Sequence, residues 1–467
     1  MTHTFKPDTQ GHIFIDNKSG TIKPGDIVYI SGNPKDVLIS NLIGTKEARI
    51  IVANVPKKTL IIGDPTWSGG GFSYGLMFKS CNYITILETT RDSFKISGSK
   101  TDKKDSNGFG VQGAYFNLRI DELSDNFIVR DIAIENGGTG VWAKTEVTND
   151  SRTWHATNTY LNNFEFYNLK IKNTYVEGMY IGHTGTYWNI KKNIPYYPAN
   201  ANDVPKDTAT DVYKQPIKLK NVIIKGCFVS GTGQDAIQTS AVENLDVANN
   251  EVTNWAVNKN SSHNGGILVG GRVKGFKVSN NHVHDGWGEM IQVFAEGGAE
   301  AIIDNNLLER NNGEAVSIRG TNGLAVTFTN NTVVAPGGTT FRVNGYFGGN
   351  GKNIVRNNIL VQPTGVGGVI YPNRYIYLEN GGAASDEDNK KFATVNDFKS
   401  VENTLSAYGY KVPKPVEEPP ISEIPIIEKV TIESNELAAL LKVIPAGSYS
   451  LSFESGGIKK KITITVE

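Results

Sequence analysis

"AIIDNNLLERNNGEAVSIRG", residues 301–320, holds one full period of the chain, and its reading decides the fold. A short apolar–polar alternation runs into an Asn pair. A second alternation (LLER), a polar turn (NNGE) and a third alternation (AVSI) follow. The opening phrase recurs as "LDVANNEV", "FKVSNNHV", "VTFTNNTV" and "NIVRNNIL". This puts the first Asn of each pair at 249, 280, 305, 330 and 357, in steps of 31, 25, 25 and 27. Weaker copies run upstream around Cys227, Asn173, Asp131, Glu88 and Gly63. Each unit holds two or three strands of a few residues, with inward Ile, Val, Leu or Phe. One unit cannot bury a core, whereas stacked units bury a continuous one. About ten units, stacked at about 4.8 Å, make a rod roughly 50 Å long. The Asn pairs then have a structural task, since Asn tolerates the left-handed bend and amides on successive rungs can hydrogen-bond as a ladder.

Composition agrees with a turn-rich all-β chain. There are 50 glycines, four methionines and 39% hydrophobic residues in 467. The 47 basic and 47 acidic residues cancel, so the whole chain carries no footprint for nucleic acid or an anionic membrane. A neutral glycan suits this balance better. Cys81 and Cys227 fit no metal or redox spacing and read as buried small hydrophobes. No membrane span is visible, and the N-terminus lacks the apolar stretch of a signal peptide.

Over roughly residues 20–380 these repeats resemble the right-handed parallel β-helices of the pectate-lyase-like group. "IKPGDIVYISG" with "NLIGTKEARIIVANVPKKTLIIGD" is similar to the first coils of such enzymes, with Arg49 where proline is usual. The organisation expected is an N-terminal cap and first coil over 1–50 and the β-helix over 51–380. An acidic, partly helical tail with a Pro-rich linker follows over 381–427, then a small β-module with a hairpin over 428–467.

A second strand follows each Asn-pair strand: "VEGMYIG", "GQDAIQTS", "HNGGILVGG", "WGEMIQVF", "NGEAVSIRG" and "GTTFRVNG". Aligned, Glu177, Asp235, Gly265, Glu289, Glu314 and Thr339 form one column at its start. Alternation sends Ile237, Ile267, Ile291, Val316 and Phe341 inward. Tyr180, Gln238, Leu268, Gln292, Ser317 and Arg342 then face outward, on the surface where a polymer would lie. Two insertions upstream carry Trp154, His155 and Tyr160, and His183, Tyr187, Trp188, Tyr196, Tyr197 and Tyr213. Rings of this density suit sugar faces, and packing as a lid is the alternative. Glu289 and Glu314 fall on adjacent rungs and Asp235 lies two rungs from Glu289. These spacings suit a retaining or an inverting glycosidase pair, or oxygen ligands for Ca²⁺. His282, His284 and Asp285 lack an evident third ligand and read as turn residues.

"EMIQVF" followed by "AVSIRG" resembles the polysaccharide lyases that include chondroitinase B and many alginate lyases. The resemblance implies that Glu289 is a Ca²⁺ ligand and Arg319 the arginine of the site. The lysine base of that family falls on Phe294 and its histidine on Gly320, so elimination would need a base from elsewhere: His183, Tyr180, Lys144 or Arg272. The sequence thus nominates Arg319, Glu314, Asp235 and His183 for catalysis and Glu289 for calcium. Trp154, Tyr180, Tyr187, Trp188, Gln238, Arg272, Gln292, Phe294 and Arg342 are nominated for substrate binding. The expected function is recognition of a cell-surface or extracellular polysaccharide, as in a phage or particle spike. Such a protein would be extracellular or virion-associated, and trimeric or attached through its C-terminal module. A lyase or hydrolase in the same groove, and a purely structural role, are the alternatives.

Overall fold

A computed structural model describes residues 1–64, 73–98, 114–156, 158–198, 203–321, 323–345, 351–365, 375–413, 447–455 and 458–466. The chain forms two compact units, Met1–Lys414 and Pro415–Glu467.

The first unit is a parallel β-helix. Three sheets of 13, 12 and 11 strands run its length, every pairing between coils parallel. Sheet A extends from Thr2–Phe5 to Ala384–Glu387, sheet B from His12–Asp16 to Ile376–Glu379, and sheet C from Leu60–Ile62 to Lys390–Phe392. Coils begin ahead of residue 51, in the segment expected to hold a cap and first coil. Inside, Ile237, Ile267, Ile291, Val316 and Phe341 stack in register and are fully buried. Each such side chain contributes about 1.5–3 kcal/mol through loss of apolar surface to water.

The two residues of each Asn pair divide the labour. The first takes the left-handed bend, with φ of 57, 59, 53, 56 and 59° at Asn249, Asn280, Asn305, Asn330 and Asn357. The second is buried and builds the ladder. Asn250 Nδ2 donates to Asn281 Oδ1 at 2.9 Å, and the pattern continues through Asn306, Asn331, Asn358 and Asn389. Each ladder amide also donates inward to a strand carbonyl, such as Ile224 O or Val247 O. Cys227 occupies the ladder position before Asn250: its N–H donates to Asn250 Oδ1 and its thiol points at Phe166 O. Burial pushes both Cys227 and Cys81 thiols up to about 12. Both behave as the small buried groups the sequence suggested.

At the far end, a short helix (Val395–Val401) sets Phe398 against Val334, Ile359 and Val361. The segment beyond it returns along the coils, where Lys411 N–H donates to Asn305 Oδ1. In the second unit, Gly447–Ser455 and Ile458–Val466 pair antiparallel as a hairpin. The Pro-rich stretch from 414 and the turn residues 456–457 lie outside the described residues. No helix among the described residues is long and apolar enough to cross a membrane.

Candidate functional site

Sheet B presents the outward face. Its register places Arg119, Trp142, Tyr180, Gln238, Leu268, Gln292, Ser317, Arg342 and Tyr377 in one column along the axis. The carboxylate column at the start of its strands has the register read from the sequence. Gly178, Ala236, Gly266, Met290 and Ala315 N–H groups donate in turn to the carbonyls of Asp235, Gly265, Glu289, Glu314 and Thr339. Side chains in this column are therefore one rung apart, about 4.8 Å at the backbone.

Glu289 and Glu314 meet in a cleft of 360 Å³ lined also by Asn264, Trp287, Gly288, Asn312 and Gly313. Glu289 is buried, and its two oxygens accept from Arg319 Nη2 and Gln292 Nε2, each at 2.7 Å. Gln292 Nε2 also reaches Asn264 Oδ1 at 2.7 Å, so one amide braces both walls. Burial, then the nearby charge of Glu314, raises the Glu289 carboxyl above its ordinary range despite Arg319. Arg342 bridges Glu314 and Glu379, at 2.9 and 2.6 Å. Gly288 has φ +88°, and a Cβ there would lie 2.4 Å from Asn264 O, so the cleft floor closes only with glycine.

Higher on the column, Asp235 is fully buried and its Oδ1 accepts from Gly265 N–H at 2.6 Å. His263 Nδ1 lies 3.4 Å from Oδ2, with 42% of its side chain exposed. Glu177, on the preceding rung, accepts from Thr139 Oγ1 and is pushed up by burial and then by Asp235.

The remaining candidates gather elsewhere. Lys144 Nζ lies 3.8 and 4.0 Å from the ring centres of Trp142 and Tyr180, and 3.4 Å from Glu146. His183 Nδ1 accepts from Gly185 N–H, so its Nε2 carries the hydrogen that faces Glu146 at 3.2 Å. Burial first, and then Lys144, holds His183 down at about 4, while its bond to His183 and the Lys144 charge overcome burial and hold Glu146 at about 2. Arg272 donates to Pro216 O at 2.9 Å, and Pro216 bridges Trp154 between the two insertions. Burial lowers Arg272 to about 10. Tyr187 and Trp188 belong to a three-stranded antiparallel sheet within the second insertion, and Trp188 packs edge-on to His183. The insertions thus pack on the coil as a lid, and His183, with both ring nitrogens engaged, is built into it. Phe294 lies under the Arg319 guanidinium, whose carbon is 5.4 Å from its ring centre.

Calcium does not fit Glu289 as it stands. Both oxygens are taken by nitrogen donors, and no group of three or more His, Cys, Asp or Glu among the described residues is arranged to hold a metal. His282 and His284 stack at 4.1 Å and bond to Glu309 and Asp285 respectively. Sequence reasoning missed Asn264, Trp287 and Asn312. The signal was the polar or aromatic residue one or two positions before each column residue, in "SHNGG", "GWGE" and "NNGE".

The family model described as right handed beta helix region matches residues 214–383. Among curated proteins nothing matches. Solved structures that are similar include GH136 lacto-N-biosidase from Eubacterium ramulus, at 13% identity and a TM-score of 0.46 over 82% of this chain and 68% of that one. The A-module of mannuronan C-5 epimerase AlgE4 from Azotobacter vinelandii is 11% identical, with a TM-score of 0.36 over 84% and 88%. The PL6 family alginate lyase AlyGC is 12% identical, with a TM-score of 0.38 over 86% and 56%. Likeness at these identities concerns the fold alone. The chain is a right-handed parallel β-helix.

Proposed function

We propose that sheet B binds a polysaccharide and that the Glu289–Glu314 cleft hydrolyses a glycosidic bond. The observation that carries this reading is the pair itself: two buried glutamates on adjacent rungs of an open cleft beside Trp287, one of them raised by burial and by its neighbour. A carboxyl raised by burial and by a second carboxylate beside it is suited to protonating a leaving sugar oxygen. Glu289 supplies the proton, Glu314 the charge that retains it, and the Trp287 ring a face for the sugar. Arg319 and Gln292 hold Glu289 in place. Elimination would need a base other than Phe294, which cannot accept a proton, and His183, which is bonded at both ring nitrogens.

Incubation with a panel of neutral, uronate and bacterial surface polysaccharides, with and without Ca²⁺, tests the reading. New reducing ends that disappear in Glu289→Gln are expected. Ultraviolet-absorbing unsaturated ends would replace hydrolysis by elimination. Binding without either product leaves a second reading, recognition alone. It draws on the ion pairs of Glu289 with Arg319 and Glu314 with Arg342, which hold both carboxylates at rest. Its finer form is a spike-like receptor-binding protein outside the cell, assembled through the C-terminal unit. The stacked-coil rod and separate hairpin unit support that form, and the molecular mass in solution tests its trimer.

A further inference from the structure

A buried carboxylate with a half-exposed imidazole set on it stands two rungs from Glu289, and the hydrolytic reading gives it no part. Asp235 is fixed: one oxygen accepts from Gly265 N–H at 2.6 Å, and the other has no hydrogen-bond partner of ordinary length. His263 presents Nδ1 to that second oxygen at 3.4 Å, while 42% of its side chain remains exposed. The neighbouring Asn264 forms the wall of the cleft, pinned by Trp255 Nε1 to its carbonyl and by Gln292 to its amide. Between Asp235 and Glu289 the column holds Gly265, where a Cβ would stand 3.2 Å from both Asp235 Oδ1 and Gln292 Oε1. The column position between the two carboxylates therefore carries no side chain.

We propose that His263, held by Asp235, is the general base that activates water for hydrolysis at the cleft, so that the reaction inverts the anomeric centre. The proposal rests on the hydrolytic reading and specifies its second proton-transfer group. With Nδ1–H turned to Asp235, Nε2 is the nitrogen left to accept a proton. Asp235 and Glu289 stand two rungs apart in the column, roughly 10 Å, and His263 reaches Asp235 from the loop before Gly265, on the rung between them. In the step, the water oxygen bonds to the anomeric carbon as that carbon's bond to the leaving oxygen breaks. The Glu289 proton passes to the leaving oxygen and one water proton passes to His263 Nε2. The charged groups facing His263 are Asp235 and Glu177, and Asp235 above all raises the imidazole above its ordinary range.

Two measurements on the full chain test this. The first needs no substrate: NMR titration of His263 in the wild type and in Asp235→Asn. A fall in the variant is expected, and an unmoved titration overturns the pairing. The second uses whichever panel polysaccharide releases reducing ends, with the anomer of the first product followed by proton NMR. Inversion is expected, with a loss of about 10²-fold in kcat for His263→Gln and disappearance of one limb of the pH profile. Retention, or a glycosyl azide formed by Glu314→Ala with azide, would make Glu314 the nucleophile and overturn His263 as base while hydrolysis stands. If no polymer releases reducing ends, the hydrolytic reading falls and the proposal with it.

Discussion

Sheet B carries two polar clusters on one scaffold, and they are built in opposite ways. Around Glu289 and Glu314 the coil loops are short or end in Gly288 and Gly313, so the carboxylates open onto a cleft. Around Lys144, His183 and Arg272 two insertions close over the sheet. There the cation sits between two rings and the imidazole is bonded at both nitrogens. A β-helix fixes where its outward residues stand. Loop length decides whether such residues meet a ligand or each other.

The hardest blow to that contrast falls on the open half. Glu289→Gln should remove about 10³-fold of turnover, with binding retained, as measured by reducing-end release and affinity electrophoresis. An equal loss from His183→Gln would abolish the distinction. In the closed half the expected effect is on stability. His183 is held at about 4 against an ordinary 6.5, so the unfolded chain binds the proton more readily between those values. Stability should then fall by about 3 kcal/mol as pH drops from 6.5 to about 4, and denaturant unfolding of His183→Gln should lose that dependence. Third in size, Glu314→Gln removes the charge that lifts Glu289. The Glu289 limb of the pH–rate profile should move to lower pH. The smallest effect is expected for Thr184→Val, which frees the Tyr180 hydroxyl inside the closed cluster. It should cost about 1 kcal/mol in unfolding and leave turnover unchanged.

Much of this was legible in the sequence, and the limits have physical causes. Period-two alternation fixes direction within a strand, so the inward Ile237 to Phe341 column and the Glu177 to Thr339 register could be read residue by residue. Alternation stops at the turns. Trp287, Asn264 and Asn312 take their directions from loop backbone, which carries no period, so the cleft walls were invisible although its two glutamates were not. Arg319 and Glu289 were both singled out, Arg319 through the lyase resemblance and Glu289 through that resemblance and as half of a carboxylate pair. Their direct pairing at 2.7 Å, with Phe294 beneath the guanidinium, depends on side-chain reach across rungs. The early coils were legible only as weaker copies because several of their bends use Ser80, Tyr83 or Asp131 in the left-handed region, beside Asn41 and Asn126.

The ladder running from Asn250 to Asn389 has a direction: each amide donates toward the later coil and accepts from the earlier one. Its coils are consequently interchangeable modules. A duplicated coil inserted between Asn281 and Asn306 finds a matching donor below and acceptor above, and lengthens the groove by about 4.8 Å without disturbing register. Inserted before Cys227, the same coil meets a thiol on one side and gains no amide partner there. The C-terminal half of the rod is thus where groove length can change by whole coils, and the cysteine marks where that freedom ends.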